Sequence, residues 1–273
     1  MPKKNPSAPA APPPNSVPPL RTPRLDQLRG LAVVWMTVFH FCFDLQYFGF
    51  IHTDFYENPL WVWQRRLIVG IFVFCAGWGQ ALAVQSGLAW PRFFRRWRWL
   101  VLGAVLVSAG SYAVFPHSFI YFGILHGMAL MLLLARAAGP GLQACVQHSN
   151  ATARHGALAA GVLLGAAMVA LPAAAVQLHA AWAGAEALNT PAWNWLGLIS
   201  RKPVTEDYAP LFPWLGCMLW GLLWGLARPA SAPAAVAGQA PRRVPALLAW
   251  LGRHSLPYYL IHQPLMFGLL ALL

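Results

Sequence analysis

Apolar runs of about 20 residues recur along this chain, each long enough to cross a bilayer core of about 30 Å as a helix. No water in hydrocarbon meets a free backbone N–H or C=O, so spanning segments are helices or strands of a closed barrel. Runs of this length, rather than short alternating strands, specify helices. Composition agrees: 58% of the residues are hydrophobic and only 10% are charged, against about 25% charged in soluble domains. The expected fold is all-α, a polytopic membrane helix bundle.

About seven spans are predicted, at residues 28–51, 60–84, 99–115, 119–135, 156–176, 208–226 and 247–272. The N-terminal segment 1–24 is proline-rich, lacks the apolar stretch of a signal peptide, and reads as a disordered cytosolic tail. Residues 25–273 form one transmembrane domain. With the tail inside, only Arg65, Arg66, Arg201 and Lys202 of the 19 lysines and arginines fall outside. The positive-inside rule therefore places the N-terminus in the cytoplasm and the C-terminus outside; the membrane is expected to be of bacterial inner-membrane type. The net charge of +12 follows from this topology, and nucleic acid is not an expected partner.

Three connections stand out. The segment QSGLAWPRFFRRWRW, read as a basic and aromatic loop, suits an interfacial anchor or a surface for anionic headgroups or donor phosphates. The external loop 177–207 is long enough to act as a lid. The stretch RPASAPAAVAGQAPRRVP reads as a flexible linker. Cys42, Cys75, Cys145 and Cys217 form no CxxC pair and read as small hydrophobes.

Histidines carry the functional signal. His40, His126 and His262 fall inside predicted spans, where a polar side chain has a cost. Helical rise puts all three at nearly one depth. Arg29, His40 and Asp44 share one stripe of the first helix, and a carboxylate one turn from an imidazole fixes its tautomer and raises its basicity. That is the arrangement of a general base. On the last helix Ser255, Tyr259 and His262 share a face, with Pro257 and Pro264 able to kink it. Arg65 and Arg66 open the second helix on the outer side, either snorkelling or holding an anionic group. His52 lies in the loop before them, close to the outer surface. No metal motif, Walker loop, GxGxxG or GxSxG is present, and no metal is expected.

The segments RLDQLRGLAVVWMTVFHFCFDLQYFGFIH, FVFCAGWG, FIYFGILHGMAL, APLFPWLGCMLWG and LGRHSLPYYLIHQPL give the chain a resemblance to a known group. It resembles the heparan-α-glucosaminide N-acetyltransferase catalytic-domain family, within the wider membrane acyltransferases. The resemblance implies transfer of an acyl group from cytosolic acyl-CoA, such as acetyl-CoA, to a carbohydrate acceptor on the far side. It implies a catalytic histidine at His52, by the heparan-type pattern, or at His40, by the pattern of related polysaccharide O-acyltransferases. Full-length heparan-type enzymes carry more than seven membrane helices, and a lysosomal acceptor does not suit a chain of this style.

On this reading Arg29, Arg95, Arg96 and Arg98 hold donor phosphates. His40 with Asp44, or His52, removes the acceptor proton, and His126, Tyr259 and His262 polarise the thioester or shuttle protons. A homo-oligomer is compatible with the sequence. Competing classes are a proton-coupled transporter, since midplane polar residues and broken helices also mark transport sites, and a non-catalytic membrane scaffold.

Overall fold

A computed structural model describes residues 22–228 and 243–273. The regular structure of those residues is helical: α1 (Pro23–Tyr47), α2 (Pro59–Gln85), α3 (Trp90–Val114), α4 (Ile124–Val146), α5 (Ala151–Ala181), α6 (Leu211–Leu226), α7 (Arg243–Arg253) and α8 (Ser255–Leu270). The first five are long and apolar enough to cross a membrane. With the shorter α6 and α8, the bundle reaches about seven spans. Most of the N-terminal tail and most of the stretch between α6 and α7 lie outside the described residues, but Pro23 and Arg24, assigned to the tail, already begin α1.

Local chemistry sets the helix starts. Pro23, Pro59 and Pro91 occupy the first turns of α1, α2 and α3, where a missing N–H costs nothing. Asn58 caps α2 by accepting from the Leu60 N–H at 3.0 Å, and Asn150 caps α5 by accepting from Thr152 and Ala153.

Two boundaries differ from the sequence expectation in ways that matter. The basic aromatic segment expected to be a loop is, from Trp90 onward, the opening turns of α3, and only residues 86–89 are a connection. Trp90, Phe93 and Phe94 stack on one another there, and Trp97 Nε1 donates to the Ala129 carbonyl of α4. Residues 119–123 are not helical, so α4 begins later and runs on to Val146. That extended stretch is instead pinned to the segment before α6: Thr205 Oγ1 donates to the Phe119 carbonyl at 2.9 Å, and the Ala209 N–H donates to the Phe122 carbonyl at 3.2 Å. The last predicted span is two helices, broken at His254, with α7 lying along α1 and α8 contacting α1 and α3.

The core is the α2–α6 contact, wrapped by α4 and α5. Glycines make it close. A Cβ at Gly221 would collide with the Phe74 carbonyl, and one at Gly77 with the Met218 carbonyl. Small residues that let backbones touch are the usual glue of membrane helices, where lipid is as apolar as leucine. The same device joins α1 to α7, through Gly30 against Leu248 and Gly252 against Asp26. The outward faces of α3 and α5 carry Leu102, Val105, Leu106, Val162 and Leu163, all exposed as a lipid-facing surface would be. Cys75 is buried, Cys42 and Cys217 are half-buried, and all four cysteines are free thiols.

Candidate functional site

Helices α1 and α8 bring His40 and His262 together. His40 Nδ1 lies 2.7 Å from His262 Nε2, and the two rings stack with centroids 5.0 Å apart. His262 Nδ1 faces the Tyr259 carbonyl at 2.8 Å and the Tyr258 carbonyl at 3.2 Å. Carbonyls only accept, so Nδ1 of His262 carries the proton and its Nε2 is the acceptor. The hydrogen between the rings then belongs to His40 Nδ1, and the lone pair of His40 is left on Nε2. Each ring sits about 10 Å, seven or eight residues, from the far end of its helix. Tyr258 stacks over His262 at 5.5 Å, and its hydroxyl donates to Thr37 Oγ1, which itself donates to the Val33 carbonyl.

Asp44 does not orient His40. Its carboxylate is fully buried, and Oδ1 accepts from Gln263 Nε2 at 2.6 Å. The expected i,i+4 pair is replaced by a register in which His40 meets His262 and Asp44 meets Gln263. The cause is the neighbouring helix, whose polar residues are adjacent in sequence and meet successive turns of α1. Asp44 Oδ2 and Gln263 Oε1 are buried with no partner among the described residues.

His126 is not level with the other two. Because α4 starts at Ile124, this residue lies about 3 Å into the helix, near the far face. Its Nδ1 accepts the Gly123 N–H at 3.3 Å, and its Nε2 faces Ser108 Oγ at 3.1 Å. One nitrogen caps α4 and the other ties it to α3. His52 is exposed in the α1–α2 loop, apart from the imidazole pair.

A cavity of about 530 Å³ opens among α1, α2, α3, α4 and α8. Arg29, Arg96 and Arg253 line it toward the basic face, and Phe72, Leu125, Met128 and Leu132 line its apolar interior. Ser255 and Tyr259 contribute from α8. Tyr259 is one turn before His262, so its backbone carbonyl orients the imidazole pair while the residue borders the cavity. Arg95 and Arg98, expected beside Arg96, are exposed on other faces of α3 and do not line it. Arg253 takes a place that the sequence had not assigned. It is the last residue of α7, which packs along α1, just before the break at His254.

On the far face, Asp207 was legible only as one of several external acids. It is half-buried, with Oδ2 accepting the Ile124 N–H at 2.7 Å, at the positive end of α4. Burial pushes its carboxyl above the ordinary carboxylate range, while the Ile124 bond and the charges of Arg65 and Lys202 pull it back. Arg65 and Lys202 both approach the Tyr56 ring, at 5.9 and 4.6 Å from its centroid. Arg66 is exposed and covers Trp63 instead, which is the snorkelling arrangement. Among the described residues, no three His, Cys, Asp or Glu side chains converge as a metal site.

The fold and site together define a multi-pass membrane protein with an imidazole pair, His262 buried and His40 half-buried, one helical turn beyond an arginine-lined cavity. The chain belongs to the family whose model is described as heparan-alpha-glucosaminide N-acetyltransferase, catalytic, which matches residues 21–264. The family is one of acetyltransferases, and the resemblance drawn from the sequence motifs is borne out. No curated protein and no solved structure matches the chain.

Proposed function

We propose that this protein is a membrane acetyltransferase that takes the acetyl group of acetyl-CoA from the basic, cytosolic face and gives it to a carbohydrate hydroxyl or amine reached from the far face. The observation that carries the reading is the His40–His262 pair with its fixed tautomers. The donor's phosphates pair with Arg29, Arg96 and Arg253, and its thioester arm lies along the apolar interior toward Tyr259. His40 Nε2 takes the proton of the acceptor as the acceptor oxygen or nitrogen attacks the thioester carbon. The C–S bond breaks as the acyl bond forms, and the coenzyme A thiolate leaves, to be protonated from His40 or from water. The positive charge that develops on His40 is stabilised through its Nδ1–H bond to His262, whose own Nδ1–H is held by the Tyr259 carbonyl.

His52 is the alternative base by resemblance, but its exposed loop position lacks an orienting partner among the described residues. The test is transfer of radiolabelled acetyl from acetyl-CoA to a panel of glycans by purified protein in liposomes. Wild type and His52→Ala are expected to transfer label, and His40→Ala is expected to lose about 100-fold or more, the usual worth of a general base. Full activity in His40→Ala overturns the assignment. Solute uptake driven by pH, without any label transfer, returns the protein to the transporter class.

A further inference from the structure

A second cavity, of about 680 Å³, lies on the basic face away from the donor cavity, where α2, α4, α5 and α6 end or begin. Gln85, Gln143, Gln147, Arg154 and His155 supply its polar walls. Arg154 is half-buried, and its guanidinium has no hydrogen bond or ion pair to any described residue. Its neighbour His155 has none from its ring. The glutamines, in contrast, are fixed. Gln85 Nε2 donates to the Gly225 and Arg228 carbonyls at 3.2 and 2.8 Å, which leaves its Oε1 buried and without a donor. Gln147 Nε2 donates to the Leu226 carbonyl, and its Oε1 accepts from Gln143.

A guanidinium that faces a cavity with no protein anion beside it is free to pair with the anion of a ligand. The pocket therefore presents a basic wall, Arg154 beside the exposed His155, to which the protein itself supplies no anion among the described residues. Its level in the fold is that of the inner headgroup layer, where anionic lipids concentrate. We infer that this pocket binds a phosphate group, with Arg154 and His155 on the phosphate oxygens. The phosphodiester of an anionic inner-leaflet lipid has this chemistry, and so does a soluble phosphate ester. A ligand seated here bridges the start of α5 and the ends of α2, α4 and α6. The inference does not depend on the acetyl-transfer reading.

Thermal melting of the whole protein in phosphate-free detergent tests it. Wild type and the double variant Arg154→Gln, His155→Gln are each titrated with phosphatidylglycerol, phosphatidylcholine, glycerol 3-phosphate and inorganic phosphate. Phosphatidylglycerol is expected to raise the wild-type Tm by about 3 °C over phosphatidylcholine of the same chains, and to do nothing for the variant. The same variant-sensitive shift from glycerol 3-phosphate or inorganic phosphate identifies a soluble ligand instead. Equal shifts in wild type and variant, or none from any of the phosphates, overturn the site. Should the variant fail to fold, native mass spectrometry of the wild type decides, since equal retention of phosphatidylglycerol and phosphatidylcholine overturns it as well.

Discussion

His40 Nδ1 and His262 Nε2, 222 positions apart in sequence, lie 2.7 Å from each other between α1 and α8. One hydrogen shared by two neutral rings is a low-cost way to keep imidazoles in an apolar setting, because each satisfies the other. The bond also breaks the symmetry of the pair. The carbonyls of Tyr258 and Tyr259 fix His262, and His262 fixes His40.

That order of dependence predicts how variants at His262 behave. His262→Ala removes the acceptor for His40 Nδ1–H and is expected to lower kcat for acetyl transfer by about tenfold or more. His262→Gln keeps an oxygen able to accept that hydrogen and should recover part of the loss. Combined with His40→Ala, neither change should lower the rate further, since residues that act as one unit are not additive. Initial rates with saturating donor check all three.

The arginines of the inner cavity should act on donor affinity rather than on chemistry. Arg29→Gln, Arg96→Gln and Arg253→Gln are each expected to raise KM for acetyl-CoA about fivefold to tenfold while leaving kcat nearly unchanged, the signature of lost uniform binding. Arg95→Gln and Arg98→Gln, exposed outside the cavity, serve as controls and should change KM little. Added salt should weaken donor binding in wild type more than in the variants.

Asp207 should leave a mark on stability against pH. Burial raises its folded-state pKa above the unfolded value, so the folded protein binds that proton more tightly. The contribution to stability is full below the ordinary carboxylate pKa of about 4 and is lost as pH rises through the raised folded value. Asp207→Asn keeps an oxygen for the Ile124 N–H but has no charge to bury. Its Tm should therefore fall less than that of wild type between about pH 4 and neutrality, measured in the same detergent.

Packing between α2 and α6 is expected to tolerate no added volume at its tightest crossings. Gly221→Ala and Gly77→Ala each drive a methyl group into a backbone carbonyl of the opposite helix and should cost about 1–3 kcal/mol. Gly110→Ala on α3, where an added Cβ meets nothing within 4 Å, should be neutral or slightly stabilising. Melting temperatures of the three variants give the comparison.

Much of the bundle was written in the chain itself. Hydropathy and length alone impose membrane helices, because a polar backbone in hydrocarbon has few ways to satisfy itself, and α1, α2 and α5 fall close to where the apolar runs place them. The pattern around RLDQLRG and YLIHQP carried the family, which the match over residues 21–264 establishes. Other features needed the third dimension. The start of α4 is set by hydrogen bonds to residues 205–209, some eighty positions away, so the sequence misjudged the depth of His126. Whether Asp44 faces His40 or Gln263 depends on the register of α8 against α1, which no local periodicity encodes. A helix's own sequence states which residues share its face; which partner that face meets is decided by backbone approach at Gly30, Gly77, Gly221 and Gly252, and only the packed bundle reveals it.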